Sequence, residues 1–192
     1  MTTTEIVGRT NHIAALHGVR GASVQAVLAD FALRRRREGM RIAGVVEEIG
    51  CPTPGMCKNL GVRDLASGET ISISQKLGPG STACNLDPSG LARACALVEN
   101  AIEGGADLVI LSKFGKAEAA RGGFFDAFRA AICAGAPIVT YVPAVLAEEW
   151  ERFASGLFES VLAEDEALES WWRASGASRC GTRQDESVFA LH

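Results

Sequence analysis

The sequence predicts a single α/β domain: a mainly parallel β-sheet flanked by helices, with a β-ribbon inserted after the second strand. Three observations predict it. The opening third alternates strand, glycine turn, helix, strand. Asp107–Leu111 (Asp-Leu-Val-Ile-Leu) is a continuous apolar run between turns, as a strand buried on both faces requires. The same helix-to-strand alternation then recurs between Phe124 and Val142.

Taken in order, His12–His17 reads as a strand that ends in Gly18-Val-Arg-Gly21. Ser23–Arg37 carries Val24, Val27, Leu28 and Phe31 at helical spacing. Gly39 stops that helix, and Met40–Val46 is a second buried strand, giving a β-α-β unit whose crossover is right-handed and parallel by the usual chirality. Glu47–Leu60 is punctuated by Gly and Pro and reads as a loop. Val62–Leu65 and Glu69–Ser74 flank a turn as an antiparallel ribbon, with Ile71 and Ile73 on one face. Gln75–Asp87 is irregular, and Pro88 then opens a helix to Gly104 with Leu91, Cys95, Val98 and Ile102 as its apolar stripe. Downstream the pattern gives a helix at Phe124–Ala134, a strand at Pro137–Val142, a helix at Ala144–Phe153, a strand at Phe158–Leu162 and a helix at Asp165–Ala174. Residues 1–174 are expected to form the domain and 175–192 a polar tail.

Composition narrows the function. The 192 residues are 47% hydrophobic and 22% charged, with 19 basic and 23 acidic side chains and a net charge of −4. No basic stripe argues for nucleic acid, and the one basic run, Arg34–Arg37, is expected to sit solvated at a helix C-terminus where the dipole favours cations. No stretch of 18 apolar residues or secretory leader pattern is present, so the expectation is a cytoplasmic protein with reduced thiols and no membrane partner. The C-x₅-C spacing of Cys51 and Cys57, with Cys84 in a second loop, is not a standard zinc pattern, and no metal is expected. Cys95 and Cys133 fall on helices, where they are expected to be buried as small hydrophobes. His17 borders the first turn, and Trp150, Trp171 and Trp172 are expected in the core or at a subunit contact.

Ligands of wound α/β sheets bind beyond the carboxyl ends of the strands. There the first turn invites comparison with the phosphate-binding pattern G-x-x-x-x-G-K-[ST]. Gly18 matches the first glycine, but Ser23 stands for the second, Val24 for the lysine and Gln25 for the Mg²⁺-holding hydroxyl. The turn keeps its place without the charged and hydroxyl groups; an ordinary tight turn is the alternative reading.

Several segments carry resemblances. Gly61–Glu69 is similar to the ribbon of small P-loop nucleoside triphosphatases allied to the adaptor protein MobB. In those enzymes the strand matching Asp107–Leu111 ends in an acidic Walker B pair, then a glycine and a glutamate. Here Gly115 and Glu118 match, while Ser112 and Lys113 replace the acidic pair. More closely, Ile73–Gly78, Cys84–Asp87, Ser112–Glu118 and Glu149–Phe153 resemble a bacterial family described as a domain of unknown function, whose members are often described alongside molybdate-transport or nitrogenase-related proteins. The resemblance implies a P-loop-like fold.

Phosphoryl transfer needs Mg²⁺ held by carboxylate or hydroxyl and a fixed cation on the transferring group. With those residues replaced, the expectation is a small-anion site with little or no hydrolysis, holding a nucleotide phosphate, phosphate or a molybdate-like oxyanion, Mg²⁺ not required. Gly18, Arg20, Gly21, Ala22 and Ser23 would cradle the anion by backbone N–H groups; Ser112, Lys113, Gly115 and Lys116 would supply the opposite wall and charge; Glu118 would orient a lysine. Gln75, Cys84 and Asp87 would close the crevice. Two of the chain's four lysines lie in this block. Lys113 could instead pair with Glu118 or another carboxylate as a structural ion pair. The alternatives are a slow nucleoside triphosphatase or kinase using Lys113 with Asp87 or Glu118 on Mg²⁺, and an adaptor that binds a partner protein or a second copy of itself.

Overall fold

The computed structural model describes residues 12–18, 21–49, 60–74 and 86–176. In chain order they form β1 (Ile13–His17), α1 (Gly21–Arg37), β2 (Ile42–Ile49), β3 (Leu60–Asp64), β4 (Thr70–Ser72), α2 (Pro88–Glu103), β5 (Leu108–Leu111), α3 (Lys116–Ala119), α4 (Phe125–Ala134), β6 (Ile138–Tyr141), α5 (Ala147–Ala154), β7 (Phe158–Leu162) and α6 (Asp165–Ala174). A single 3₁₀ turn at Ala144–Leu146 leads into α5. The seven strands make one sheet in the order β4-β3-β2-β5-β6-β1-β7. β2, β5, β6, β1 and β7 run parallel, and the β3–β4 ribbon continues the sheet antiparallel beyond β2. This is the mostly parallel α/β fold the sequence predicts, and it is compatible with a P-loop NTPase-like domain.

The sheet is buried on both faces because its central strands are largely apolar. All four residues of β5 are buried. Val109 and Leu111 face one core, shared with α2, α4 and α5, while Leu108 and Ile110 face the other, shared with α1 and α6. Gly44 of β2 has φ +118°, and a Cβ there would lie 1.8 Å from the Ile110 carbonyl oxygen, so only glycine allows β2 to lie this close to β5. Helix ends follow local chemistry. Asp87 accepts a hydrogen bond from the Ser89 N–H as N-cap of α2 with Pro88 at its first position, and Gly135 closes α4 in the left-handed region.

Four expectations change. β2 does not stop at Val46. It runs to Ile49 because β3 pairs with Val45–Ile49, beyond the last β5 partner, so Glu47 stands on a strand and not in a loop. The arginine run is not simply solvated. Arg35 is only 6% exposed, stacks over Phe31 and Trp172, and bonds Glu169 of α6 and Glu38. Arg34 reaches Asp165 and Glu169, and Arg36 donates to the Leu65 and Ala66 carbonyls. The run thus clamps α1 to α6 and to the ribbon turn. Cys133 is exposed and Cys95 half-buried, because both lie at the margin of their helices' apolar faces. In α2 the fully buried stripe is Ala94, Val98 and Ile102, with Leu91 and Cys95 on its flank.

All three tryptophans are core residues, as expected. Trp150 packs edge-on to Phe114 with ring centroids 5.1 Å apart, and Phe153 lies 5.2 Å from Phe114 on the same cluster.

Candidate functional site

The carboxyl ends of β1, β2 and β5 lie along one edge of the sheet. At the end of β1 the backbone turns through Gly18, with φ +97°, and α1 begins at Gly21. A side chain at Gly18 would be strained by that φ and would meet Leu162 at 3.2 Å. Gly21 and Ala22 form the first turn of α1, and Ser23 is exposed beside them. Arg20 lies outside the described residues.

Gln25, read in the sequence only as the replacement of a hydroxyl, joins the strands to the helix. Its amide nitrogen donates to the Ser112 carbonyl at 2.9 Å, and its amide oxygen accepts from the Glu47 N–H at 2.8 Å. The side chain is buried, so the first turns of α1 are tied to the ends of β5 and β2 by a bridge that uses both halves of one amide.

Beyond β5, Phe114 is the anchor of the Ser112–Glu118 block. Its ring is fully buried in the aromatic cluster, and its N–H donates to the Tyr141 carbonyl at 2.8 Å. With Phe114 pulled inward, the flanking Lys113 emerges on the outer side. Lys113 Nζ lies 2.6 Å from Glu47 Oε1, and the Lys113 side chain is 42% exposed against 15% for Glu47. Of the two readings of Lys113, the structure shows the ion pair: its partner is another carboxylate, Glu47, and not Glu118. Glu47 escaped the sequence reading because it was placed in a loop. Lys116 is exposed on α3.

Glu118 does not orient a lysine. It is 6% exposed, and its two oxygens accept from the Gly115 N–H at 2.8 Å and the Phe124 N–H at 2.9 Å. It is a buried clip that closes residues 115–124 into one compact turn. Gly123 completes this turn with φ +58°, where a Cβ would sit 2.1 Å from Glu118 Oε1. Asp87 likewise serves the backbone, capping α2. Both carboxylates are thus engaged by backbone N–H groups, and Gln25 has no hydroxyl to offer a metal.

A cavity of about 310 Å³ opens beside these groups. Ser112, Lys113, Gly115, Lys116 and Glu118 line it, together with Glu47. The structure thus brings the second half of the expected site together. Gly18 and Ser23 are not among its lining residues; β6 stands between β1 and β5, and the start of α1 reaches this edge through the Gln25 bridge to Ser112 and Glu47. Gln75 and Cys84 lie outside the described residues, as do Cys51 and Cys57. Among the described residues no group of three or more His, Cys, Asp or Glu is placed to hold a metal ion. No described helix is long and apolar enough to cross a membrane.

Burial pushes the Cys95 thiol up to about 11, and the Glu99, Glu118 and Asp126 carboxylates add to the shift. Its Sγ donates to the Gly123 carbonyl at 3.2 Å, so this cysteine is a neutral donor and not a nucleophile.

A family model described as "Protein of unknown function (DUF2478)" matches residues 13–171. The chain belongs to the DUF2478 family. A curated relative, the molybdenum import ATP-binding protein ModC 2 of Bradyrhizobium diazoefficiens, is 38% identical over 178 residues. That alignment covers 93% of this chain and 20% of the relative, so the chain spans about one fifth of the length of the protein it matches. No solved structure matches. The family model begins at the first residue of β1 and ends inside α6, and so contains both the glycine turn and the Lys113 block.

Proposed function

We propose that this DUF2478 domain binds a small anion at the carboxyl edge of its sheet, without a required Mg²⁺ and with little or no hydrolysis, in the service of molybdenum import. The ligands this edge suits are a nucleotide phosphate, inorganic phosphate or a molybdate-like oxyanion. The Gln25 bridge is the observation that carries the reading. The residue in the position of the metal-holding hydroxyl is committed at both ends to the Ser112 carbonyl and the Glu47 N–H. The turn is therefore braced as structure, while its glycine backbone and helix N-terminus keep the capacity to face negative charge.

Charge supports the same reading. Lys113 stands where a triphosphatase would carry an acid, and it is held at the mouth by an ion pair that is partly exposed. The ammonium is partly exposed and carries three donors, so an incoming anion can bond it alongside Glu47. Lys116 adds a second ammonium, a compact charge suited to a small oxyanion. The link to molybdenum rests on the similarity to ModC 2, a molybdenum import ATP-binding protein by name.

Calorimetric titration with ATP, GTP, phosphate and molybdate, each with and without Mg²⁺, tests the proposal. Heat of binding for at least one of them in the absence of Mg²⁺ supports it. No heat for any of them overturns it.

A further inference from the structure

The walls of the cavity point to a narrower ligand class than its mouth does. Beside the Glu47, Lys113 and Lys116 rim, the lining among the described residues is mainly apolar: Ala117 of α3 and six larger side chains, Leu60, Val62, Ile73, Leu86, Leu91 and Phe124. They come from β3, from the segments flanking the ribbon and α2, from α2 itself and from the turn before α4. Protein interiors rarely leave voids larger than a water molecule, and about 310 Å³ is at the lower end of the roughly 300–1,000 Å³ range of small-molecule pockets. A bare oxyanion gains nothing from apolar walls and would lose hydration against them. Lys113 and Lys116 are the cations of the described lining, and both reach solvent.

We infer that the cavity takes an organic anion with a flat, largely apolar body, an aromatic or heteroaromatic ring carrying one phosphate or carboxylate. The ring lies between the ribbon side chains Leu60 and Val62 and the α2 side chain Leu91, with Phe124 offering an aromatic surface. The anionic group sits at the mouth and bonds the Lys113 ammonium, whose three N–H donors serve it and Glu47 together. This inference rests on the anion-binding reading above and specifies the ligand of the same edge.

The test compares 1-naphthyl phosphate with inorganic phosphate on the intact chain, by calorimetry and by methyl-detected NMR. The naphthyl ester is expected to bind at least tenfold more tightly than phosphate and to shift the methyl resonances of Leu60, Val62, Ile73, Leu86 and Leu91. Leu91→Trp, which fills the cavity, is expected to lower the ratio of the two affinities by about tenfold. Because the methyl shifts are read on the wild-type chain, the inference stays testable if that variant folds poorly. Equal affinities, or naphthyl binding that leaves those methyls unmoved, would overturn the inference and leave anion binding at this edge standing. Binding of neither compound, with none of the four anions tested above binding either, would overturn both.

Discussion

Removing the Gln25 amide should cost stability out of proportion to the size of the change. The Gln25→Leu variant keeps the approximate shape of the side chain but deletes a donor to the Ser112 carbonyl and an acceptor for the Glu47 N–H. Each bond contributes about 0.5–1.5 kcal/mol, and a buried partner left without one costs about 1–3 kcal/mol. Ser112 is 4% exposed, so its carbonyl is the group expected to suffer most. The expected loss is about 2–3 kcal/mol, or roughly 5–10 °C in Tm for a domain of this size. Urea denaturation followed by circular dichroism measures it, with the slope unchanged and the midpoint lowered. Gln25→Ser makes the reasoning sharper, because it restores a hydroxyl at the motif position and removes the bridge. It should be destabilised by a similar amount and should gain no ATP hydrolysis. A change within about 0.5 kcal/mol for Gln25→Leu, or hydrolysis gained by Gln25→Ser, would refute the assignment of this residue as a brace.

Three further outcomes follow from contacts elsewhere. Glu118→Ala strands the Gly115 and Phe124 N–H groups and should cost about 2–4 kcal/mol by the same denaturation measurement, whereas a loss below 1 kcal/mol would show the clip to be dispensable. Phe114→Ala empties a fully buried site in the aromatic cluster and should cost about 3–5 kcal/mol, with loss of the near-ultraviolet signal of Trp150; an intact signal would contradict that packing. The Cys95 thiol is raised from 9.0 to about 11 in the folded chain, so the folded state holds its proton more tightly than the unfolded state. Its contribution is therefore complete below pH 9 and is lost as pH rises from 9 through 11, and Cys95→Ala should flatten that part of the stability-pH profile. A profile identical to wild type over that range would contradict the assignment.

Much of the fold was legible because its signals are local and strong. The β5 run could only be a strand buried on both faces, Pro88 and Gly135 mark helix ends by backbone chemistry, and Asp165–Ala174 is a helix with the bounds expected. What was illegible depended on partners distant in sequence. Arg35 reads as a surface cation until α6 brings Glu169 and Trp172 to it across more than 130 residues. The site divides in the same way. The Ser112–Glu118 block was visible as a unit, but Glu47 was hidden by the assumption that β2 ended before it, and the pairing that extends β2 comes from the ribbon. Gln25 was seen as a missing hydroxyl, because nothing in its neighbourhood in the chain reveals that two strand ends converge on its amide. Glu118 matches by spacing the glutamate of the P-loop enzymes the block resembles, yet its burial and its two backbone donors make it a clip.

The central claim is that this edge holds an anion without magnesium and does not cleave it. It is tested most directly by measuring ATP affinity by calorimetry in EDTA and in Mg²⁺, with phosphate release followed in parallel, on the wild-type chain and on Lys113→Met. The account predicts affinities that agree within about twofold between the two conditions, at least a tenfold weakening in Lys113→Met, and no phosphate released above background. Binding that appears only with Mg²⁺, accompanied by turnover that Lys113→Met abolishes, would contradict it.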